Sequence, residues 1–157
     1  MIRKAVYLVL LAASLLGGCA KEPLKQAGLQ GESTLGAMRD LISAYERRDL
    51  EAFLDKVSPS FPGRDSFQKD VENIFGTYQT ITLTIQYRKI LATVQYKGNI
   101  KATFTWEGEW RTSGGRIVKD GARVTLVLDP ATYKLLGIEG KNLFTPSDNP
   151  GPAPVKQ

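Results

Sequence analysis

Few side chains in this sequence have chemistry of their own at neutral pH. There is no histidine, and Cys19 is the only cysteine. Proton transfer would fall to carboxylates and tyrosines. Tyr45 could donate a hydrogen bond into an apolar pocket, with Asp40, Asp49 and Asp55 on the same helical stretch as partner carboxylates. Glu107 and Glu109 stand two residues apart, the spacing of paired carboxylates on one strand face. Phe104, Trp106 and Trp110 could line a ligand pocket. Each group also has a plainer role. Tyr45 suits a core tyrosine with a satisfied hydroxyl, and Asp49 suits a helix cap. The tryptophans suit a filled core or a dimer contact, and the glutamates suit an ion ladder with Lys101, Arg111 and Arg123.

Cys19 has a more specific setting. Arg3 and Lys4 precede an apolar run over 5–16, and Leu16-Gly17-Gly18-Cys19 closes it. A basic start, an apolar middle and a small-residue exit make an export signal. The run is shorter than the roughly 20 residues of a membrane-spanning helix. Leu16-Gly17-Gly18-Cys19 resembles the bacterial lipoprotein signal. That resemblance implies a cleaved signal peptide over 1–18 and lipidation of Cys19 by a diacylglyceryl group plus an N-acyl chain such as palmitate. One acyl chain binds a membrane only marginally, whereas several hold it stably. Ala20, where an inner-membrane retention signal has Asp, favours the outer membrane, with the protein facing the periplasm.

The chain carries 21 Lys and Arg against 16 Asp and Glu. Loss of Arg3 and Lys4 with the signal leaves 19 against 16, a mild excess. The densest basic group, Arg111, Arg116, Lys119 and Arg123, is interleaved with Glu107, Glu109 and Asp120. This is a solvated hairpin surface rather than a nucleic-acid stripe. With Cys19 lipidated, no thiol remains for nucleophilic catalysis or a usual zinc site, so no metal and no cofactor are expected. No disulfide is possible, and the core alone must hold the fold.

Residues 19–32 are polar, with Pro23, Gly28 and Gly31, and read as a flexible tether. A helix is expected from Ser33 or Thr34, with Leu35, Met38, Leu41, Ile42 and Tyr45 on one face. Asp49 should cap a short helix carrying Leu50, Phe53, Leu54 and Val57. After a Pro62-Gly63 turn, Asp65 and Gln68 form a capping-box pattern for a third helix. That helix carries Phe67, Val71, Ile74 and Phe75 and should end at Gly76. From Thr77 the hydrophobic period becomes two. Ile81, Leu83 and Ile85 face one way, and beyond Arg88-Lys89 the parity shifts to Ala92 and Val94, which predicts a bulge. Ile100 to Trp110, Ala122 to Leu128 and Tyr133 to Gly140 should supply three further strands. The folded domain is expected over 33–144, followed by a disordered Pro-rich tail over 145–157.

Helices followed by long antiparallel strands give an α+β domain. Leu41–Phe53 with Val57–Phe61, Ala102–Trp110 with Gly114-Gly115, and Tyr133–Phe144 together resemble the nuclear transport factor 2-like superfamily. The resemblance implies N-terminal helices packed on a curved antiparallel sheet, an apolar cone between them, and homodimers through the open sheet face. Its enzymes place an Asp–His pair, or Asp with Tyr, inside the cone. This chain has no histidine and no acidic group on its expected inner faces.

The expected function is therefore a membrane-anchored lipoprotein that binds a small apolar ligand or a protein partner without catalysis. One alternative is an isomerase- or dehydratase-like enzyme using Tyr45 and a helix carboxylate. Another is a structural protein of envelope assembly. A cone filled by its own side chains would favour binding through a surface, and an open cavity would favour a ligand.

Overall fold

The change of hydrophobic period at Thr77 is a change of architecture. The computed structural model describes residues 22–94 and 98–147, with the backbone alone for 22–30 and 87–94. Three helices come first: α1 (Glu22–Glu46), α2 (Leu50–Asp55) and α3 (Arg64–Thr77). Four strands follow: β1 (Thr80–Val94), β2 (Ile100–Arg111), β3 (Ile117–Leu128) and β4 (Leu135–Gly140). They pair in sequence order as one curved antiparallel sheet. The expectation of helices packed on such a sheet holds. The signal segment 1–18, Cys19 and the tail from 148 onward lie outside the described residues. The chain divides into two units, Met1–Gly31 and Glu32–Gln157.

Helix α1 begins at Glu22, not at Ser33 or Thr34, so the stretch read as tether is helical from Glu22 onward. Pro23 falls in the first turn, where its missing N–H is not needed and its fixed φ suits the helix. The glycines at 28 and 31 each weaken a helix by about 1 kcal/mol without breaking it. Met38, Leu41, Ile42, Ala44 and Tyr45 are buried, as the periodicity requires. Arg48, at φ 57, ends the helix in the left-handed position. Asp49 caps α2 by accepting from Ala52 N at 3.0 Å.

The start of α3 differs from the capping-box pattern. Gly63 at φ 67 is the N-cap without a side-chain bond, and Gln68 instead donates to Glu72 at 2.8 Å. The Pro62-Gly63 turn gives the left-handed residue that starts the helix one position early. The helix also runs through Gly76 to Thr77. Its terminal carbonyls are met by Arg48 Nη1, which donates to Tyr78 O at 3.0 Å and Phe75 O at 3.4 Å. A cation at a helix C-terminus is favoured by the dipole.

The register of β1 on β2 breaks between Gln86 and Leu91. Ile85 pairs with Trp106 before the break and Ala92 with Ala102 after it, so inner positions change parity where the sequence predicts a bulge. Strand β4 starts at Leu135, two residues later than expected, because Tyr133 at φ 56 still belongs to the turn closed by Tyr133 N to Asp129 O at 2.8 Å. Of the ion ladder expected on the outer face, the pair Glu109 with Arg111 forms, whereas Lys101 pairs with Glu139 instead. Glu109 takes Arg111 at 3.0 Å and Lys119 at 3.3 Å, and Lys101 takes Glu139 at 2.6 Å. Glu107 accepts from Gln86 Nε2 at 2.8 Å.

Candidate functional site

The inner face of β2 places Ile100, Ala102, Phe104, Trp106, Gly108 and Trp110 in alternation, all buried. Helix α1 lays Tyr45 against this face. Trp110 Nε1 donates to the Tyr45 hydroxyl at 3.1 Å, and that hydroxyl donates to Phe144 O at 2.7 Å. Tyr45 is therefore an acceptor and a donor at once, with no exposure to solvent. Burial pushes its hydroxyl well above the ordinary phenol range, and the Trp110 bond only partly offsets this.

Room for the Trp110 ring comes from Gly108. A Cβ there would lie 2.3 Å from Trp110 Cη2 and 2.5 Å from Cζ3. Trp106 meets Trp110 edge to face, with centroids 6.1 Å apart. Its Nε1 is buried with no hydrogen-bond partner among the described residues. Phe104 is buried at the next inner position and shares no ring contact with either tryptophan among the described residues.

Beyond Gly140 the chain returns over the cone. Leu143 and Phe144 are fully buried and Pro146 is buried, so the expected tail begins as packed structure at 145–147. The Phe144 ring lies 5.0 Å from both Tyr45 and Phe53 and 6.1 Å from Phe67. Asp120 ties this segment down. Its Oδ1 pairs with Lys141 Nζ, and its Oδ2 accepts from Ser147 N at 3.1 Å. Burial opposes ionisation of Asp120, but those bonds and one from Gly121 N outweigh it and hold the carboxyl below its usual range.

Asp120 and Phe144 are the site residues that the sequence reading passed over. Asp120 was legible: it stands at the parity of Val118, Ala122 and Val124, opposite Gly108, and interrupts an apolar row. Phe144 gave a weaker signal, an apolar pair ahead of a proline.

The helix carboxylates do not meet Tyr45. Glu46 accepts from Leu83 N at 2.7 Å on the unpaired edge of β1. Asp49 caps α2, and Asp55 pairs with Lys56 and Lys134 at the surface. Asp40 lines an exposed cleft with Thr132 and Lys134. Proton transfer through Tyr45 has no partner among the described residues. No group of three or more His, Cys, Asp or Glu among them is placed for a metal. No helix among them is long and apolar enough to cross a membrane.

A cleft of about 670 Å³ lies over the outer sheet face, lined by Thr82, Thr84, Glu107, Glu109, Lys119 and Asp120. Gly121 contributes no side chain to it, and a Cβ there would lie 2.9 Å from Trp106 O.

Neither a family model nor a curated protein matches this chain. Solved structures do. A nuclear transport factor 2-like superfamily protein from Salmonella enterica serovar Typhimurium superposes with TM-score 0.56 at 16% identity, over 83% of this chain and 96% of that one. The fold is nuclear transport factor 2-like. An NTF2-like protein of unknown function from Exiguobacterium sp. 255-15 has TM-score 0.50 at 13% identity, over 65% of this chain and 93% of that one. RV0760c of Mycobacterium tuberculosis, solved in complex with estradiol-17beta-hemisuccinate, has TM-score 0.53 at 12% identity, over 70% and 94%. At these identities the likeness concerns the fold, and an NTF2-like fold alone does not assign a function.

Proposed function

We propose that this chain is a lipid-anchored, non-catalytic binding domain of the bacterial cell envelope, held through Cys19 at the outer membrane and facing the periplasm. The observation that carries the non-catalytic reading is the double commitment of the Tyr45 hydroxyl, to Phe144 O and Trp110 Nε1. The anchor rests on Leu16-Gly17-Gly18-Cys19 behind its basic start and apolar run.

A cone packed with Phe144, Trp106 and Trp110 directs binding to the surface. The cleft over Gly121 offers threonine hydroxyls and both signs of charge, which suits a polar protein partner or a second copy of the chain. The test is in-cell photo-crosslinking of the full chain with the probe at Thr84, compared with Asn73 on α3, followed by membrane fractionation. A membrane-bound crosslinked species at Thr84 alone, moved to the soluble fraction by Cys19→Ser, is expected. Equal crosslinking at both positions, or a membrane fraction unchanged by Cys19→Ser, contradicts the proposal.

A second reading, a small apolar ligand inside the cone, is favoured by Trp106 Nε1. A buried donor without a partner carries a desolvation penalty that a ligand acceptor would relieve. The steroid derivative held by RV0760c is compatible with it.

A further inference from the structure

Helix α2 has a second apolar side. Phe53 is buried in the core, while Leu50 and Leu54, four residues apart, share a side that is only half-buried. Val57 and Pro59 extend this surface toward the left-handed Gly63, after which α3 starts with Arg64. Together they line a cleft of about 680 Å³ that Glu51, Asp55, Arg64 and Lys134 complete. That volume lies within the roughly 300–1,000 Å³ of small-molecule sites. Arg64 is its unexplained member. Every other arginine whose burial is described is exposed, whereas Arg64 is half-buried. Among the described residues its guanidinium has no hydrogen bond or ion pair, and its Nε is buried without an acceptor. We propose that this cleft binds a small aliphatic monocarboxylate, with the alkyl chain on Leu50, Leu54, Val57 and Pro59 and the carboxylate on Arg64.

The charges around the cleft select the ligand. Asp55 is already matched, by Lys134 at 3.2 Å and Lys56 at 3.3 Å. Glu51 is exposed and makes no ion pair among the described residues. One unmatched cation beside two carboxylates favours a single negative charge over a phosphate dianion. Arg64 also stands in the first turn of α3, where the positive end of the helix dipole adds to its own charge. A carboxylate meets the guanidinium at its open edge and turns it to engage Nε as well, the paired geometry in which arginine holds a carboxylate. That bond relieves a donor now buried without a partner. The apolar lining is aliphatic, with no aromatic ring to stack on a flat ligand, and so suits a flexible alkyl chain. The site shares no lining residue with the cleft over Gly121, and it opens on the exposed side of α2, away from Tyr45 and Trp110. It is therefore independent of the surface reading above.

The test uses the full chain carrying Cys19→Ser, without detergent, so that no other acyl chain competes. Sodium octanoate is titrated, with acetate as the probe without a chain and 1-octanol as the probe without a charge. Binding is read by isothermal titration and by amide shifts in NMR. Octanoate should bind saturably and move the amides of Leu50, Leu54 and Arg64. Arg64→Met keeps the stem and removes the cation, and Arg64→Lys keeps the charge and removes Nε. Both should weaken octanoate by about tenfold. Glu51→Gln removes a repelling charge and should tighten it. Octanol should bind weakly, and equally to wild type and Arg64→Met. Without ligand, Arg64→Met should melt no lower than the parent, because no bond is lost. Unchanged octanoate affinity in Arg64→Met overturns the proposal, as does acetate binding as tightly as octanoate. Shifts centred on the indole N–H groups of Trp106 and Trp110 instead would place the ligand in the cone and overturn it too. The shift map needs no variant at Arg64, so it decides even if one fails to fold.

Discussion

Tyr45 and Phe144, ninety-nine residues apart, are joined by a 2.7 Å hydrogen bond from the hydroxyl of one to the backbone carbonyl of the other. Their rings also meet at 5.0 Å, so one tyrosine holds both the main chain and the side chain of the C-terminal segment. Tyr45→Phe keeps the ring and removes the bond. It leaves Phe144 O and Trp110 Nε1 buried without that partner. A buried group left unpaired costs about 1–3 kcal/mol. Urea denaturation of Tyr45→Phe should show a loss in that range, and a change within a few tenths would contradict the role assigned to the hydroxyl.

The closeness of Gly108 to Trp110 makes a sharp contrast between glycines. Gly108→Ala puts a methyl 2.3 Å from an indole carbon and should destabilise the fold by about 1–3 kcal/mol, with altered near-ultraviolet circular dichroism. Gly76→Ala in α3 has nothing within 4 Å and should stabilise by about 0.5–1 kcal/mol. Melting curves for the pair check this, and equal shifts would refute the crowding at Gly108.

Glu46 satisfies an amide on the unpaired edge of the sheet. In Glu46→Ala, Leu83 N loses its 2.7 Å acceptor and is left to water. The expected outcome is faster amide exchange at Leu83 and a loss of about 1 kcal/mol. Unchanged exchange at Leu83 would place its protection elsewhere.

Asp120 sets a dependence on pH with a definite sign. Its carboxyl is held below the usual range, so its contribution is present above the unfolded value of about 3.9 and is lost as pH falls through the lowered folded value. The stability gap between wild type and Asp120→Asn should be widest at about pH 7 and should narrow at about pH 3. A gap constant across that span would contradict an ionised Asp120 paired with Lys141.

The sequence and the structure agree where local chemistry decides. The period-two alternation of Ile81, Leu83 and Ile85 and its parity change near Arg88 are steric and hydrophobic facts of neighbouring residues, and both appear in the register. Asp49 caps its helix for the same local reason. Disagreement begins where a local pattern has a tertiary rival. Asp65 and Gln68 had the spacing of a capping box, but the left-handed Gly63 started the helix first. Gly76 looked like a helix end, yet Arg48, remote in sequence, serves the terminal carbonyls. The buried C-terminal segment was least legible, because burial of Phe144 depends on Tyr45, Phe53 and Phe67 meeting across the fold.

The proposed non-catalytic role of the cone is tested most directly by titrating Tyr45 in the folded protein. Carbon-13 NMR of the tyrosine Cζ atoms, with the Tyr45 signal assigned by its absence in Tyr45→Phe, follows each phenol separately. The account predicts that the Tyr45 signal stays in its neutral form up to and beyond the ordinary phenol value of about 10. A Tyr45 signal that ionises at or below the ordinary phenol value of about 10 would show an accessible, activated hydroxyl and contradict the account.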